Sequence, residues 1–500
     1  MPFPPALEPL LAALIVGLLV AFLAWRWPFP TLAAFLILLL LHEAILRILH
    51  GPLGLPFEVV NWVSRMRMVG LIAMSLVFML RAARTAWRLR RLPRPHAVDG
   101  LMALVLVLAG LATMLSPNRL AAVAALRAYF QPVLIFYLAR GVYPTEQQLR
   151  RLLYVWLAVG VLIAGFGIYQ WFAWGEADYA RNGYVLAGGE MDTDPLLVEG
   201  EEPRVRPPST LTGPNEFGLQ MAFLLLVAVP WAARKRGWGR WVLWAASGIL
   251  LTGLSYSYSR SALLGLAAGL GCLVLFLVFG QGERDLRRRL MTRGTLAIGA
   301  GLLLALFAVL AGSGMIGRVV RTVRRLPQEY HVRDTLRAID YLGDHPLGLG
   351  MGLVGPREGT FFPRDEEYHV ESSLFQIAMD MSIFGTIAWL ILWGVALARV
   401  WRAWRAVRSP LLQLVDGLAF SAWIAALLTF LILPLMQSFS LMGWLWFFLG
   451  LGLVSHRVEA EWGSEPIQDR SSDHKQVAHR NVLPSASIEP VSYALGPILL

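Results

Sequence analysis

An α-helix needs about 17–25 predominantly apolar residues to cross the roughly 30 Å hydrocarbon layer of a bilayer, and runs of that length recur along nearly the whole 500-residue chain. In lipid every backbone N–H and C=O needs an internal partner, so such runs fold as helices. The runs fall at 7–24, 30–48, 60–80, 99–116, 120–138, 152–173, 217–232, 241–257, 261–280, 294–314, 373–398, 411–434 and 439–455. They predict an all-α integral membrane protein with about 12–14 spans. The first run lacks the basic start and small-residue cleavage site of a signal peptide, so it reads as a retained span. The third run opens with two arginines in "NWVSRMRM" (61–68), and the fifth carries Arg127, which allows part of it to lie along the interface.

The formal net charge is +11. In a soluble chain that excess would suggest nucleic acid. Here the arginines gather in "RAARTAWRLRRLPRPH" (81–96), "ARGVYPTEQQLRR" (139–151), "ARKRGWGR" (233–240), "QGERDLRRRLMTR" (281–293) and "WRAWRAVRSP" (401–410). These segments follow every second run, which is the pattern of cytoplasmic loops. A lone cysteine, Cys272, excludes an intramolecular disulfide and a cysteine-based metal site.

Three parts follow. Residues 1–98 hold the N-terminal spans and a basic cytoplasmic loop. Residues 99–455 form a transmembrane core with two long outer loops, 174–216 and 315–372. Residues 456–500 form a polar cytoplasmic tail whose composition predicts disorder. The second outer loop carries helical periodicity, with Val332, Leu336, Ile339 and Leu342 on one face and Arg333 and Arg337 paired at i, i+4. Pro346 and the glycines of "GDHPLGLGMG" end that helix. "GLGMG" lacks the preceding strand of a phosphate-binding loop and reads as a turn.

Charge collects at the outer boundary. "SYSYSRSALLGL" (255–266) sets Arg260 between two spans with almost no loop, and "RPPSTLTGPNEFG" (206–218) sets Arg206 and Asn215 before another. An arginine there either snorkels to headgroups or faces a polar site. Arg206, Arg260, Arg333 and Arg337 converging on one side suit a diphosphate-sized anion, because the guanidinium fork binds phosphate bidentately and stays charged. "EEYHVESSLFQIAMDMSIFG" (366–385) places His369 and Glu371 at the start of a span. Either could act as a base on an alcohol, while Glu371 could equally favour the positive end of its helix. His42 and Glu43 fall inside the second run, where charge is costly, and are expected to pair with other spans.

Four elements resemble the O-antigen ligase and polymerase superfamily. "RPPSTLTGPN" (206–215) is similar to its R-x-x-G-T-F-x-N-P-N element, with Arg206, Thr210, Pro214 and Asn215 matching and Ser209 and Gly213 departing. "YSRSALLGL" (258–266) is similar to S-R-x-x-x-L. "RDTLRAIDYLGDHPLGLGMGLVG" (333–355) is similar to the arginine-to-glycine element, and "HVESSLFQIAMDMSIFGTIAWL" (369–390) to the closing histidine element. The likeness covers about residues 100–455 and leaves out the first three spans and the tail. In the closing element the family's first glycine falls on Ser382, and eleven residues earlier, where its histidine belongs, stands Glu371; His369 lies two residues before that.

The resemblance implies a GT-C-like, all-helical glycosyltransferase in the bacterial cytoplasmic membrane. Its active site faces the exterior, beside a partly helical periplasmic loop. It implies inverting, metal-independent transfer of a glycan from an undecaprenyl-diphosphate-linked donor to a hydroxyl of a glycan, lipid or protein acceptor, with no cofactor. Arg206, Arg260, Arg333, Arg337 and Asn215 would hold the donor diphosphate, and His369 or Glu371 would be the base. Ligase, polymerase of lipid-linked repeats and protein O-oligosaccharyltransferase remain open alternatives. A flippase of lipid-linked sugars would instead carry charges along a central path and internal repeats, whereas here the charges collect at one face.

Overall fold

The computed structural model describes residues 7–90, 96–184, 197–198, 204–279, 330–354, 370 and 372–464. In chain order the helices are α1 (Leu7–Arg26), α2 (Pro28–His50), α3 (Phe57–Leu89), α4 (Ala97–Leu115), α5 (Arg119–Gly141), α6 (Glu146–Ala173) and the short α7 (Glu176–Arg181). Two-residue strands β1 (Leu197–Val198) and β2 (Arg204–Val205) pair antiparallel. Then come α8 (Pro214–Arg234), α9 (Trp238–Tyr256), α10 (Arg260–Phe279), α11 (Tyr330–Asp344), α12 (Ser373–Ala406), α13 (Pro410–Phe430) and α14 (Phe439–Ser464). Among the described residues ten helices are long and apolar enough to cross a membrane: α1 to α6, α8, α12, α13 and α14. The chain is a multi-pass helical membrane protein. The expected span at 294–314 lies outside the described residues.

Local chemistry explains where the helices begin. Asn118 caps α5 by accepting from the Leu120 and Ala121 amides, both at 3.0 Å. Thr145 and Gln148 close a reciprocal capping box on α6. Proline stands in the first turn of α2, α8 and α13, where its missing N–H costs no helical bond.

Helices α8 and α14 are buried on almost every side, whereas α1 stays at the margin against α3. Helix α14 packs on α5, α12, α13 and α2, and α8 packs on α9, α10 and α13. Aromatic rings fill the centre: Trp156 stacks on Trp444 at 4.4 Å, and Trp389, Trp393, Trp423 and Trp446 adjoin in series. Lipid tails are as apolar as these side chains, so close packing rather than exclusion from water holds the helices together.

The described basic turns meet at one end of the bundle, and 281–293 lies outside the described residues. Arg234 donates to the Pro410 carbonyl at 3.2 Å, Arg399 to His96 Nε2 at 3.3 Å, and Trp462 Nε1 to the Pro144 carbonyl at 2.8 Å. Arg140 pairs with Asp99, and Glu459 accepts from the Arg408 amide. Burial and the Arg399 charge hold the His96 imidazole below its usual pKa.

Several sequence expectations shift. Helix α3 runs unbroken to Leu89, taking in Arg65, Arg67 and half of the expected 81–96 loop. Helix α5 is continuous through Arg127 and is long and apolar enough to cross. Helix α14 continues to Ser464, nine residues into the expected tail, where Trp462 anchors it. On α11 the expected apolar face is met at Leu342 and not at Leu336 or Ile339, and the Val332 side chain lies outside the described residues. Ala338 and Leu342 are buried against Val354, Ala378 and Met379, while Leu336 and Ile339 are about half exposed. The turn after α11 decides this, because it pulls the Ala338–Leu342 stripe onto α12.

That turn and α12 fit each other closely. Ser382 interrupts α12 with φ 77° and ψ 166°, a region that glycine occupies readily and other residues rarely. The break exposes the Met379 carbonyl, which accepts from the Leu349 amide at 2.8 Å. Gly348 sits so near that a Cβ there would fall 2.4 Å from the same carbonyl. Buried Asp380 accepts from the Gly352 amide at 2.8 Å and from Tyr129 Oη at 2.9 Å. "GLGMG" is thus a packed turn, as its sequence context indicates.

Candidate functional site

At the end opposite the basic turns, Arg206, Asn215 and Arg260 come together from three elements. Helices α9 and α10 are joined by Ser257, Tyr258 and Ser259 only. Tyr258 turns the chain with φ 53° and stacks on Trp171 at 4.9 Å. Ser257 Oγ accepts from the Ser259 amide at 3.2 Å, which turns the Ser257 carbonyl outward and makes Arg260 the first residue of α10. Helix α8 reaches this turn because position 218 is glycine: a Cβ there would meet Ser257 Oγ at 2.6 Å.

The Arg206 guanidinium spans the two elements. Its Nε and Nη2 donate to the Ser257 carbonyl at 3.1 and 3.0 Å, and Nη2 also donates to Asn215 Oδ1 at 2.8 Å. Burial, and then the like charge of Arg260, pull its pKa down from 12.5 to about 10. It remains a cation at neutral pH. Neutral acceptors orient it without cancelling its charge, which suits it to receive an anion.

The segment before α8 holds its shape through side chains. Ser209 has φ 55°, its amide donates to Gln170 Oε1 at 2.9 Å, and its Oγ donates to the Ile163 carbonyl at 2.6 Å. Ser209 and Ser382 are the two positions where this sequence carries serine and the resembling elements carry glycine. Both serines adopt left-handed backbone. Gly213, the other departure, is the N-cap of α8.

Of the other expected residues, only Arg337 has a described side chain. Arg337 is exposed on α11, and the like charge acting on Arg206 comes from Arg260. Arg333 belongs to α11, but its side chain lies outside the described residues, as do His369 and Glu371. A groove of about 710 Å³ lies at the basic end, walled largely by apolar groups of α1, α3 and α5, remote from Arg206.

Sequence reasoning missed Ser257 and Glu216. The carbonyl of Ser257 has no sequence signal at all. Glu216 had one, a carboxylate at the head of an apolar run. His42 and Glu43 pair with another span as expected: Arg67 of α3 lies 3.5 Å from Glu43 Oε1 and 3.2 Å from His42 Nδ1. No protein-family model matches this chain, and no curated protein matches it.

Proposed function

We propose that this protein is a membrane glycosyltransferase that moves a glycan from an undecaprenyl-diphosphate-linked donor to an acceptor hydroxyl at the outer face of the cytoplasmic membrane. The observation that carries the reading is the convergence of Arg206, Asn215 and Arg260 at the end opposite the basic turns. By the positive-inside pattern that end faces outward. Ser209 and Ser382, which stand where the resembling motifs have glycine, both carry the positive φ that glycine favours, and this supports the likeness.

Such a donor already carries a good leaving group. The enzyme has to steady the departing diphosphate and remove a proton from the attacking alcohol. Arg206 and Arg260 supply the electrostatic part, the larger contribution in most enzymes. His369 or Glu371 supplies the base in this reading, a contribution of about 10²–10⁴-fold.

The test uses purified full-length protein in bilayer discs with an undecaprenyl-diphosphate glycan and membrane glycolipid acceptors. Arg206→Ala and Arg260→Ala are each expected to lower transfer by about 10²-fold, or about 3 kcal/mol. Lysine should restore it only in part, because an ammonium cannot bind phosphate bidentately. Near-normal transfer by both alanine variants refutes the reading.

A further inference from the structure

The groove at the basic end lies between α1, α3 and α5, and its polarity changes along its length. Helix α3 lines it from Ser75 to Arg88, thirteen residues apart, which is about 20 Å of helical rise. One membrane leaflet with its headgroups is about as thick, roughly half of 40–45 Å.

The end nearer the membrane centre is apolar. Phe78 of α3 lines it together with Leu134 and Leu138 of α5. The Ser75 hydroxyl turns back to the Leu71 carbonyl at 2.8 Å and the Thr85 hydroxyl to the Arg81 carbonyl at 2.9 Å, so neither donor is left over for the groove.

The cytoplasmic end is cationic. Arg81, Arg84 and Arg88 line it, and at i, i+3 and i+7 they share one face of α3. Arg81 shapes the mouth: it donates to the Trp25 carbonyl at the end of α1 and lies 5.2 Å over the Trp25 ring. A carbonyl orients that guanidinium and leaves its charge standing. Arg84 and Arg88 are exposed, and neither makes an ion pair among the described residues. Arg140 also lines the groove, but it is paired with Asp99. No aspartate or glutamate stands among the described lining residues. Three positive charges therefore border the groove with no opposing charge in its wall.

The positive-inside pattern accounts for arginines at this end, and the other basic turns show it too. Orientation needs charge but no cavity, whereas here about 710 Å³ of space lies beside the arginines, a volume typical of small-molecule sites. A soluble anion would match the cationic end alone. A phosphate that carries hydrocarbon chains matches both ends and the length between them. Guanidinium groups bind phosphate oxygens bidentately, and basic pockets between helices on the cytoplasmic side suit anionic headgroups.

We propose that this groove binds an anionic phospholipid of the cytoplasmic leaflet, with its phosphate at Arg84 and Arg88 and its acyl chains along Phe78, Leu134 and Leu138. The site lies at the end opposite Arg206 and does not depend on the glycosyl-transfer reading. The bound lipid fills the cleft between the N-terminal spans and α5.

The test titrates purified, delipidated full-length protein in detergent with phosphatidylglycerol or phosphatidylcholine, and native mass spectrometry counts the lipid retained. Four forms are compared: wild type, Arg84→Gln with Arg88→Gln, Arg402→Gln with Arg405→Gln, and Ala82→Trp. The Arg402 and Arg405 pair removes the same charge from an exposed basic turn outside the groove. Ala82→Trp fills the groove and leaves every charge in place. Wild type is expected to bind phosphatidylglycerol at least tenfold more tightly than phosphatidylcholine. The Arg84 and Arg88 pair and Ala82→Trp should each lose at least tenfold, while the Arg402 and Arg405 pair stays within twofold of wild type. Equal losses in the two arginine pairs reduce the effect to surface charge and overturn the site, and so does a wild type without preference for phosphatidylglycerol. Unchanged binding by Ala82→Trp overturns it too; all four exchanged arginines are exposed, so the two pairs decide the matter if the tryptophan variant does not fold. Displacement of the lipid by millimolar inorganic phosphate gives the arginines to a soluble anion instead. Tighter phosphatidylglycerol binding by a chain ending at Ser464 gives the groove to residues 465–500, and either result overturns the proposal.

Discussion

Two serines carry backbone shapes that suit glycine, and they differ in what their side chains return. Ser209 spends its hydroxyl on a 2.6 Å bond to the Ile163 carbonyl, which offsets its strain. Ser382 has less compensation: its Oγ accepts from the Gly385 amide at a long 3.3 Å. Residues held in this region cost about 1–3 kcal/mol, and glycine's extra unfolded-state entropy offsets about 0.5–1 kcal/mol of any gain. Ser382→Gly is therefore expected to stabilise the protein by about 1 kcal/mol, and Ser382→Ala to lower stability, since it keeps the strain and loses the bond. Thermal unfolding in detergent reads both; a glycine variant no better than alanine would count against strain at this position. At this scale Arg206 and Asn215 were legible as charge and amide at a boundary. The Ser257 carbonyl was not, because a backbone carbonyl looks the same in every sequence, and only the approach of α8 at Gly218 brings it to Arg206.

At the scale of elements, the turn after α11 and the break in α12 form one device with Asp380 as its latch. The carboxylate accepts from the Gly352 amide and the Tyr129 hydroxyl, and so ties the turn, α5 and α12 together. Removing it strands buried donors at about 1–3 kcal/mol each. Asp380→Ala should lower the thermal midpoint and speed amide exchange across 348–352, and Asp380→Asn, which keeps one acceptor oxygen, should do less of both. Unchanged exchange in the alanine variant would show that the turn is held by packing alone. The sequence predicted the α11 helix and its stop at Pro346, and it placed the buried face only in part. Helical periodicity names apolar residues without saying which neighbour they meet, and here the docking onto α12 kept Leu342 and took Ala338 in place of Leu336 and Ile339.

At the scale of the whole molecule, the basic turns share one end and the Arg206 site takes the other. That asymmetry predicts the orientation. On a Cys272→Ala background, a cysteine at Glu176 should react with an impermeant thiol reagent from outside intact cells. One at Arg236 should react only after permeabilisation. Both positions are exposed, so access alone decides the result, and the reverse pattern would invert the topology. Apolar run length determined by itself that this is a helical, multi-pass membrane protein, because lipid leaves the backbone no other way to satisfy its hydrogen bonds. Only the tertiary structure decided which charges meet. Arg206 joins Arg260 and the Ser257 carbonyl, and His42 and Glu43 join Arg67 and Glu216 across three helices, because the helices pack where small residues such as Gly218 let them approach, and that fit is a property of surfaces distant in sequence.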